Sequence, residues 1–208
     1  MKTIVCFGDS NTWGADPAGS GRHPHGLRWP TVLGRELGSD FEIIAEGQRG
    51  RTTVWHDAIE GSKRGSDYLL PCLDSHSPVH LLVILLGTND LKHRYGLSAW
   101  DIAHGAATLV KMARASEYGE GERAPRILLI APPPVAKLND RFRRMFEGAV
   151  EKSRELGREY RSVAEELGCA FLDAGELIRS SDLDGIHLET SEHDKLGKAV
   201  AVKVRALQ

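Results

Sequence analysis

The chain has 208 residues and a mass of 22.8 kDa, which is enough to bury a substantial core in one domain spanning residues 1–208. Its 27 basic and 29 acidic residues give a formal net charge of −2. No broad positive field is available for phosphate backbones, so we expect no nucleic-acid partner. The longest wholly apolar run, residues 81–86, is too short to span a bilayer, so we expect no membrane anchor.

The cysteines Cys6, Cys72 and Cys169 are odd in number, widely spaced and without a CxxC pair. That usage suits a reducing cytosol better than a disulfide framework. Only a few apolar residues precede Asp9, so we read no signal peptide. The sequence therefore predicts a cytoplasmic protein.

Short apolar runs recur at wide intervals and are rich in Val, Ile, Leu or Phe. They cover residues 3–7, 41–45, 80–86, 126–131 and 169–172. Runs of this length and composition are typical of strands buried on both faces.

Helical periodicity falls between the later runs. The clearest pattern runs from residue 142 to residue 167, and Gly168 is a plausible C-cap. Residues 101–115 and 196–207 have similar apolar faces, and we expect Thr190 or Ser191 to cap the last helix. Strands that alternate with helices predict βαβ units, a parallel sheet and helices on both faces.

Residues 15–28 are rich in Gly and Pro and have no usable period. They predict a surface loop near the site, which would act as a lid or as an oligomer contact.

Polar residues follow three of the predicted strands directly. Ser10 follows the first, residues 47–53 follow the second and Asn89 follows the third. Because ligands bind beyond the carboxyl ends of parallel strands, three strands are predicted to supply one site.

A carboxylate and an imidazole, Asp184 and His187, stand three residues apart near the other end of the chain. A serine hydroxyl is a poor nucleophile unless a base takes its proton and an acceptor holds that base in the correct tautomer. Ser10, His187 and Asp184 fit these roles. The backbone N–H groups of Ser10 and Gly50 and the side-chain amide of Asn89 are candidate donors to a developing oxyanion.

Four separated blocks make the sequence resemble the SGNH or GDSL hydrolases. They read FGDSNTWG, EGQRGRTT, LLGTND and DGIHL, and the resemblance covers nearly the whole chain. It implies a three-layer α/β/α sandwich of flavodoxin-like type, with a mostly parallel five-stranded sheet. It also implies a nucleophilic Ser10, oxyanion donors from Gly50 and Asn89, a catalytic Asp184 and His187, and neither metal nor cofactor.

The sequence segments around these blocks, RWPTVL, FEIIAEG, IAPPPV, FEGA and FLDAG, resemble the bacterial arylesterase and acyltransferase branch. The resemblance implies a serine esterase that acts on short-chain carboxylic esters, with acyl transfer as a further activity, and a homo-oligomer. The usual Leu after the serine is Asn11 here, so we expect Asn11 to alter the substrate pocket. Trp13 is a second candidate for substrate contact, with a core or subunit contact as the alternative. Gly50 is preferred to Gly47 as the oxyanion glycine.

Other interpretations stay open beside this one. Removal of acetyl groups from carbohydrates is the main alternative within the family. A receiver-like phosphoacceptor module would use Asp9 and Asp90 at strand ends, but it leaves the DGIH motif unexplained. A nucleotide-binding loop is disfavoured because residues 8–14 do not fit GxxxxGK[ST].

Several neighbouring residues have simpler structural interpretations. Asp9 is expected to stabilise its tight turn through backbone N–H groups, and Asp90 to lie at a helix N-terminus. Ser10 as a mere helix cap is the alternative to its nucleophilic role. Arg49 and Arg51 are expected to be solvated or to contact carboxylates, with an acidic substrate group as the weaker alternative. A metal site of Asp184, His187 and His193 is considered improbable.

Overall fold

A sheet of five parallel strands in the order β2-β1-β3-β4-β5 forms the centre of the computed structural model, which describes residues 1–207. The strands are β1 (Lys2–Gly8), β2 (Phe41–Gly47), β3 (Val79–Leu85), β4 (Arg126–Ala131) and β5 (Ala170–Asp173). Each predicted apolar run becomes a strand, with small shifts at its ends. The predicted α/β class and parallel sheet are confirmed.

Helices connect the strands and cover the sheet. They are α1 (Ser10–Trp13), α2 (Trp29–Leu37), α3 (Gly65–Ser75), α4 (Ala99–Arg114), α5 (Ala149–Ser153), α6 (Leu156–Leu167) and α7 (Thr190–Arg205). Gly168 ends α6 with a left-handed φ of 59°, as predicted. Within residues 1–207, no helix combines the length and apolar character needed to cross a membrane.

Alternate side chains of the sheet pack into two separate apolar cores. On β1, Ile4 and Cys6 belong to one core, while Val5 and Phe7 belong to the other. Residues of α2 and α7 complete the first core, and residues of α3, α4 and α6 complete the second. Because successive side chains of a strand point to opposite faces, this division confirms the three-layer α/β/α arrangement.

The edge strands differ from the prediction that all strands are buried on both faces. Every residue of β3 is buried, whereas β5 is partly buried along its whole length and β2 is partly buried with Glu42 and Ala45 exposed. β2 and β5 each pair with one neighbour and lie at the edges of the sheet, where helices cover less of the strand. The periodicity of an apolar run does not show whether its strand lies at the centre or at the edge of the sheet.

The predicted continuous helix over residues 142–167 is wrong. Residues 140–148 form turns, α5 ends at Ser153, and only then does α6 begin. Gly148 has a left-handed φ of 76°, which a continuous right-handed helix does not accommodate. The Ser153 hydroxyl accepts the backbone N–H of Val135 at 2.9 Å and so holds α5 against the segment after β4.

The predicted cap of the last helix is also wrong. Glu189 is the N-cap of α7 and makes no side-chain cap hydrogen bond, and Thr190 and Ser191 already lie inside the helix. The Glu189 carboxylate instead accepts the Ser181 hydroxyl at 2.8 Å. The helix therefore starts one residue earlier than its hydroxyl residues indicate.

Asp90 connects the loop after β2 to the end of β3. Its Oδ1 accepts the backbone N–H of Thr53 at 3.0 Å and the Thr53 hydroxyl at 2.5 Å. Burial raises the pKa of Asp90 to about 6 and nearby Asp9 adds to this, while the bonds from Thr53 oppose it. Asp90 is thus a structural residue: it lies in the first turn of the short 3₁₀ helix Asn89–Leu91, as expected, and it also anchors the loop after β2.

Helices α2 and α7 approach each other most closely at Gly197. A Cβ at this position would lie 2.6 Å from Cβ of Val32 and 2.8 Å from the backbone oxygen of Trp29. At Gly34 of α2, a Cβ would instead meet only the side chain of Ile43, at 3.1 Å. The two glycines therefore differ in whether the neighbouring atoms can move away.

We expect Gly197→Ala to lower the free energy of unfolding by about 1–3 kcal/mol, because the added methyl group overpacks against helix backbone. Gly34→Ala is the matched control, since it gains the same helix propensity against a side chain that can shift. Urea unfolding of both variants measures the difference. Equal stability of the two variants would contradict this account of the α2–α7 packing.

We expect Asp90→Asn to change how stability depends on pH. A carboxyl group whose pKa rises from 3.8 to about 6 on folding binds its proton more tightly in the folded chain, so its contribution to stability declines as pH rises from about 4 to about 6. The asparagine variant lacks this decline. Its free energy of unfolding, relative to the unmodified chain, should therefore increase across that window in urea titrations, and a constant difference would refute the assignment.

Candidate active site

The turn from β1 into α1 fixes the position of Ser10. Asp9 is the N-cap of α1, and its Oδ1 accepts the backbone N–H of Asn11 at 2.9 Å, which is the turn-stabilising role expected for it. A Cβ on Gly8 would lie 2.0 Å from Oγ1 of Thr12, so α1 can pack this closely only on a glycine. Ser10 is therefore the first helical residue beyond the strand, with its hydroxyl at the carboxyl edge of the sheet.

Ser10, His187 and Asp184 form one continuous hydrogen-bonded chain. The Ser10 Oγ lies 3.0 Å from Nε2 of His187, and Nδ1 of His187 lies 2.6 Å from Oδ2 of Asp184. The other carboxylate oxygen, Oδ1, accepts the backbone N–H groups of Ile186 and His187, both at 2.9 Å. Asp184 thus orients the ring and the loop that carries it.

The surroundings of Asp184 keep it ionised. Burial alone would raise its pKa, but the hydrogen bonds from the ring and backbone of His187 and from Ile186 outweigh burial and bring the pKa below its usual value. An ionised carboxylate at this position holds the Nδ1 proton of the imidazole and leaves Nε2 free to accept a proton from Ser10.

The cleft above these residues has a volume of about 890 Å³. Ser10, His187, Asn89 and Gly50 all border it. Part of the loop at residues 15–21 forms one wall, which confirms that this loop lies near the site. An apolar wall contains Phe142, Met145 and Phe146.

That apolar wall depends on the break before α5. The Phe142 ring packs edge-on against the His187 ring, with the centroids 5.8 Å apart, and against Phe146 at the same distance. In the sequence these aromatic residues continue the helical pattern of α6 and were predicted as its core face. Phe146 is indeed buried in the core and Phe142 packs against that core, but the left-handed Gly148 places both in a separate turn that also borders the cleft.

Gly50 and Gly47 occupy different environments. Gly50 has a φ of 80°, and a Cβ there would lie 2.6 Å from Oε2 of Glu60. A Cβ on Gly47 would lie 2.2 Å from the backbone nitrogen of Trp13, so Gly47 allows α1 to pack on β2. Of the two glycines, only Gly50 borders the cleft.

The Asn89 amide faces the cleft from the end of β3. Its Nδ2 donates to the carbonyl oxygen of Arg51 at 3.1 Å and, at a longer 3.4 Å, to Oδ2 of Asp9. Burial raises the pKa of Asp9 to about 6, opposed by its bond from Asn11 and by nearby His187, Arg51 and Lys92. The short bond fixes the amide, and the long one is weak enough to be exchanged.

Asn11 and Trp13, the two predicted substrate contacts, do not border the cleft. The Asn11 side chain is buried, donates to the carbonyl oxygen of Ile186 at 3.3 Å and accepts the N–H of Leu188 at 3.2 Å. The Trp13 ring lies under the guanidinium groups of Arg22 and Arg49, at 4.6 and 4.7 Å. These contacts connect α1 to neighbouring loops.

The prediction of a solvated or carboxylate-paired Arg51 is wrong. Arg51 is 3% exposed, and its guanidinium donates to the carbonyl oxygens of Gly8 and Glu46. The same group lies 4.3 Å above the Phe7 ring. Carbonyl oxygens at the ends of β1 and β2 thus satisfy a buried cation, which the sequence does not distinguish from an exposed arginine.

A buried ion network that sequence reasoning missed lies beside the cleft. Lys92 is 1% exposed, and its Nζ lies 3.1 Å from Asp57 and 2.8 Å from Glu60. Arg94 contacts the same two carboxylates. Burial would raise the pKa of Asp57, but hydrogen bonds from the backbone of Glu60 and Ile59 and from Lys92 bring it well below its usual value. The one sequence signal of this network is a lysine two residues after Asp90, and such a spacing is too common to be informative.

Potential metal ligands lie apart from the predicted nucleophile. His193 accepts the backbone N–H of Trp29 on Nδ1 at 3.3 Å and packs against His23, so it does not join Asp184 and His187. Burial lowers the pKa of His193 to about 3. Elsewhere in residues 1–207, ligand atoms of Glu46, Cys72 and His76 lie within 4.8 Å of one another, and none of these residues borders the cleft.

Comparisons with solved structures place this geometry among known proteins. The native M. smegmatis aryl esterase is 40% identical, with a TM-score of 0.95 and 100% of both chains covered. A carbohydrate acetylesterase from Sinorhizobium meliloti is 39% identical, with a TM-score of 0.96 and 100% of both chains covered. A G-D-S-L family member from Veillonella parvula, at 15% identity and a TM-score of 0.66, shares the fold.

The sequence matches no curated protein with which it was compared. The model of the GDSL-like lipase/acylhydrolase family, however, matches residues 6–193, which include all four blocks of the resemblance. The chain therefore belongs to the GDSL-like lipase/acylhydrolase family and is a carboxylic ester hydrolase.

Proposed function

We propose that the chain hydrolyses short-chain aryl and alkyl esters through an acyl-enzyme on Ser10. The observation that carries this proposal is the continuous chain from Asp184 through His187 to Ser10, at 2.6 and 3.0 Å. It presents a nucleophile, a base and an orienting acid at the mouth of one cleft.

In the first step, Ser10 Oγ attacks the ester carbonyl carbon and Nε2 of His187 takes its proton. The carbonyl oxygen becomes negative in the tetrahedral intermediate. When the intermediate collapses, the alcohol leaves with the proton from His187, and the acyl group stays on Ser10. Water then attacks the acyl-enzyme by the same route and releases the carboxylic acid.

Three donors are proposed to stabilise the oxyanion: the backbone N–H groups of Ser10 and Gly50 and the Asn89 amide. The left-handed conformation of Gly50 and its place at the cleft support this role. Asn89 retains its 3.1 Å bond to Arg51 and exchanges the 3.4 Å bond to Asp9 for the oxyanion. This exchange replaces a weak contact by a charge-assisted one.

The substrate range is proposed from the cleft and from the named relatives. Phe142 and Phe146 offer an apolar wall beside His187 that suits an aryl or short alkyl group. Removal of acetyl groups from carbohydrates is a second candidate, supported by the similarity to the Sinorhizobium meliloti acetylesterase. Rates on 4-nitrophenyl acetate and on acetylated xylo-oligosaccharides, compared under the same conditions, distinguish the two.

Two further properties are proposed from the resemblance. An alcohol that reaches the acyl-enzyme before water would receive the acyl group, so acyl transfer uses the same residues. A homo-oligomer in the cytoplasm is the expected state, and sedimentation of the purified chain measures the subunit number.

We expect Ser10→Ala to abolish ester hydrolysis and covalent labelling by a fluorophosphonate, since both require the Oγ nucleophile. Asp184→Asn should keep the fold but lower kcat by about 10³–10⁴-fold, because the imidazole loses its orienting acceptor. Turnover of 4-nitrophenyl acetate and peptide mapping of the labelled protein measure these effects. Ser75→Ala, at an exposed position of α3, is the control, and label on another serine would refute the mechanism.

We expect Asn89→Ala to lower kcat by about 10²–10³-fold with a smaller change in KM, because the lost donor acts mainly on the transition state. Asn139 also borders the cleft, and its Oδ1 accepts the backbone N–H of Phe142 at 3.0 Å, so Asn139→Ala is a control that removes a cleft amide and loosens the aromatic wall without removing an oxyanion donor. Steady-state kinetics on 4-nitrophenyl acetate compare both variants with the unmodified chain. A kcat of Asn89→Ala close to that of the unmodified chain would exclude Asn89 as an oxyanion donor.

A further inference from the structure

Three cations that border the cleft have no carboxylate partner. Arg49, Lys63 and Arg141 all line it. Within the part of the chain that the structure describes, none of the three forms an ion pair with a carboxylate. The whole chain has a net charge of −2, so this local excess of positive charge does not reflect its overall composition.

The acidic groups that border the same cleft each have a partner other than these three cations. Glu60 pairs with Lys92 and Arg94 through Oε1, while its Oε2 lies 2.6 Å from where a Cβ on Gly50 would be. Asp184 is bound to His187 at 2.6 Å. The Asp16 carboxylate accepts the backbone N–H of Ala18 at 2.9 Å and the Ser20 hydroxyl. Within residues 1–207, none of these carboxylates forms an ion pair with the three cations, which leaves the cations to water or to a ligand.

Two of the cations flank the glycine proposed for the oxyanion hole. Arg49 precedes Gly50 in the chain, and Cε of Lys63 lies 3.6 Å from where a Cβ on Gly50 would be. The Arg49 guanidinium shares the Trp13 ring with that of Arg22. Two guanidinium groups therefore lie against one indole ring, and the charge of Arg22 adds to the positive potential around Arg49.

The third cation lies beside the apolar wall. The guanidinium of Arg141 is 5.3 Å from the centroid of the Phe142 ring, and that ring packs against His187. Unpaired positive charge thus lies beside Gly50 and beside the ring that packs on His187. Like-signed charge within a cleft focuses the field and raises the local concentration of an oppositely charged ligand.

We propose that the preferred substrate is an ester that also carries an anionic group, a carboxylate or another oxyanion, which Arg49 and Lys63 bind on the Gly50 side. Arg141 contributes from beside the Phe142 ring. This inference rests on the proposed esterase function and names the substrate class of the same site. Charge-assisted hydrogen bonds from a guanidinium and an ammonium to an oxyanion are shorter and stronger than those to a neutral acceptor.

The test uses two pairs of esters that differ in charge at nearly constant shape. Mono-4-nitrophenyl glutarate carries a carboxylate on its acyl group, and 4-nitrophenyl pentanoate is its neutral counterpart. 4-Acetoxybenzoate carries a carboxylate on its leaving alcohol, and its methyl ester is the neutral counterpart. For each pair, the ratio of kcat/KM between the anionic and the neutral ester is measured for the unmodified chain, for Arg49→Gln/Lys63→Gln, for Arg141→Gln and for the control Arg144→Gln.

We expect the ratio for at least one pair to fall about tenfold or more in Arg49→Gln/Lys63→Gln and less in Arg141→Gln. The ratio should also fall as sodium chloride is raised, because salt screens exposed charges. Arg144 is exposed, near Arg141 in the chain, and does not border the cleft, so its variant should keep the ratio of the unmodified chain. The pair that responds identifies the side of the ester that carries the anion.

If the esters are hydrolysed but the double variant and Arg141→Gln leave the anionic-to-neutral ratio of kcat/KM unchanged, this inference alone is overturned. The same holds if Arg144→Gln lowers the ratios as much as the cleft variants do. Failure of the unmodified chain to hydrolyse any of the four esters would overturn the proposed function as well.

Discussion

One buried amide joins the two ends of the chain at the site. The Asn11 side chain donates to the carbonyl oxygen of Ile186 and accepts the N–H of Leu188, so its two bonds bracket His187. Because Asn11 directly follows Ser10, the backbone that carries the base is fixed to the backbone that carries the nucleophile. A leucine, the usual residue of the family pattern, makes neither bond. The departure from that pattern therefore supports the catalytic geometry in this chain.

A second set of contacts links the ends of β1, β2 and β3 beneath the cleft. The Arg51 guanidinium holds the carbonyl oxygens of Gly8 and Glu46, and its own carbonyl oxygen accepts the Asn89 amide. Asn89 also reaches Asp9, which caps the helix of Ser10. Burying a guanidinium is unfavourable, and burial lowers the pKa of Arg51. The chain thus uses a buried cation, held by hydrogen bonds from Nε and Nη1, to align the predicted oxyanion donors with the nucleophile.

The sequence predicts those features that depend on short-range pattern or on the general geometry of parallel sheets. Apolar runs predict the strands, and the rule that their carboxyl ends meet predicts that Ser10 and Asn89 lie together. Features that depend on tertiary surroundings were missed. A glycine such as Gly148 becomes left-handed only in its packed context, and the aromatic wall of the cleft follows from that break. The local sequence does not distinguish Arg51 and Lys92 from ordinary surface charges, because their burial depends on residues distant in the chain.

Burial divides the charges of the cleft into two classes with different roles. Lys92 is buried and shares Asp57 and Glu60 with Arg94, because an unpaired charge at that depth would cost several kcal/mol. Arg49 and Arg141 are exposed, so water solvates them without a partner. A substrate anion can replace that water, whereas it could reach Lys92 only by breaking a satisfied network. The buried network therefore holds Glu60 against Gly50, and the exposed cations are free to distinguish one ester from another.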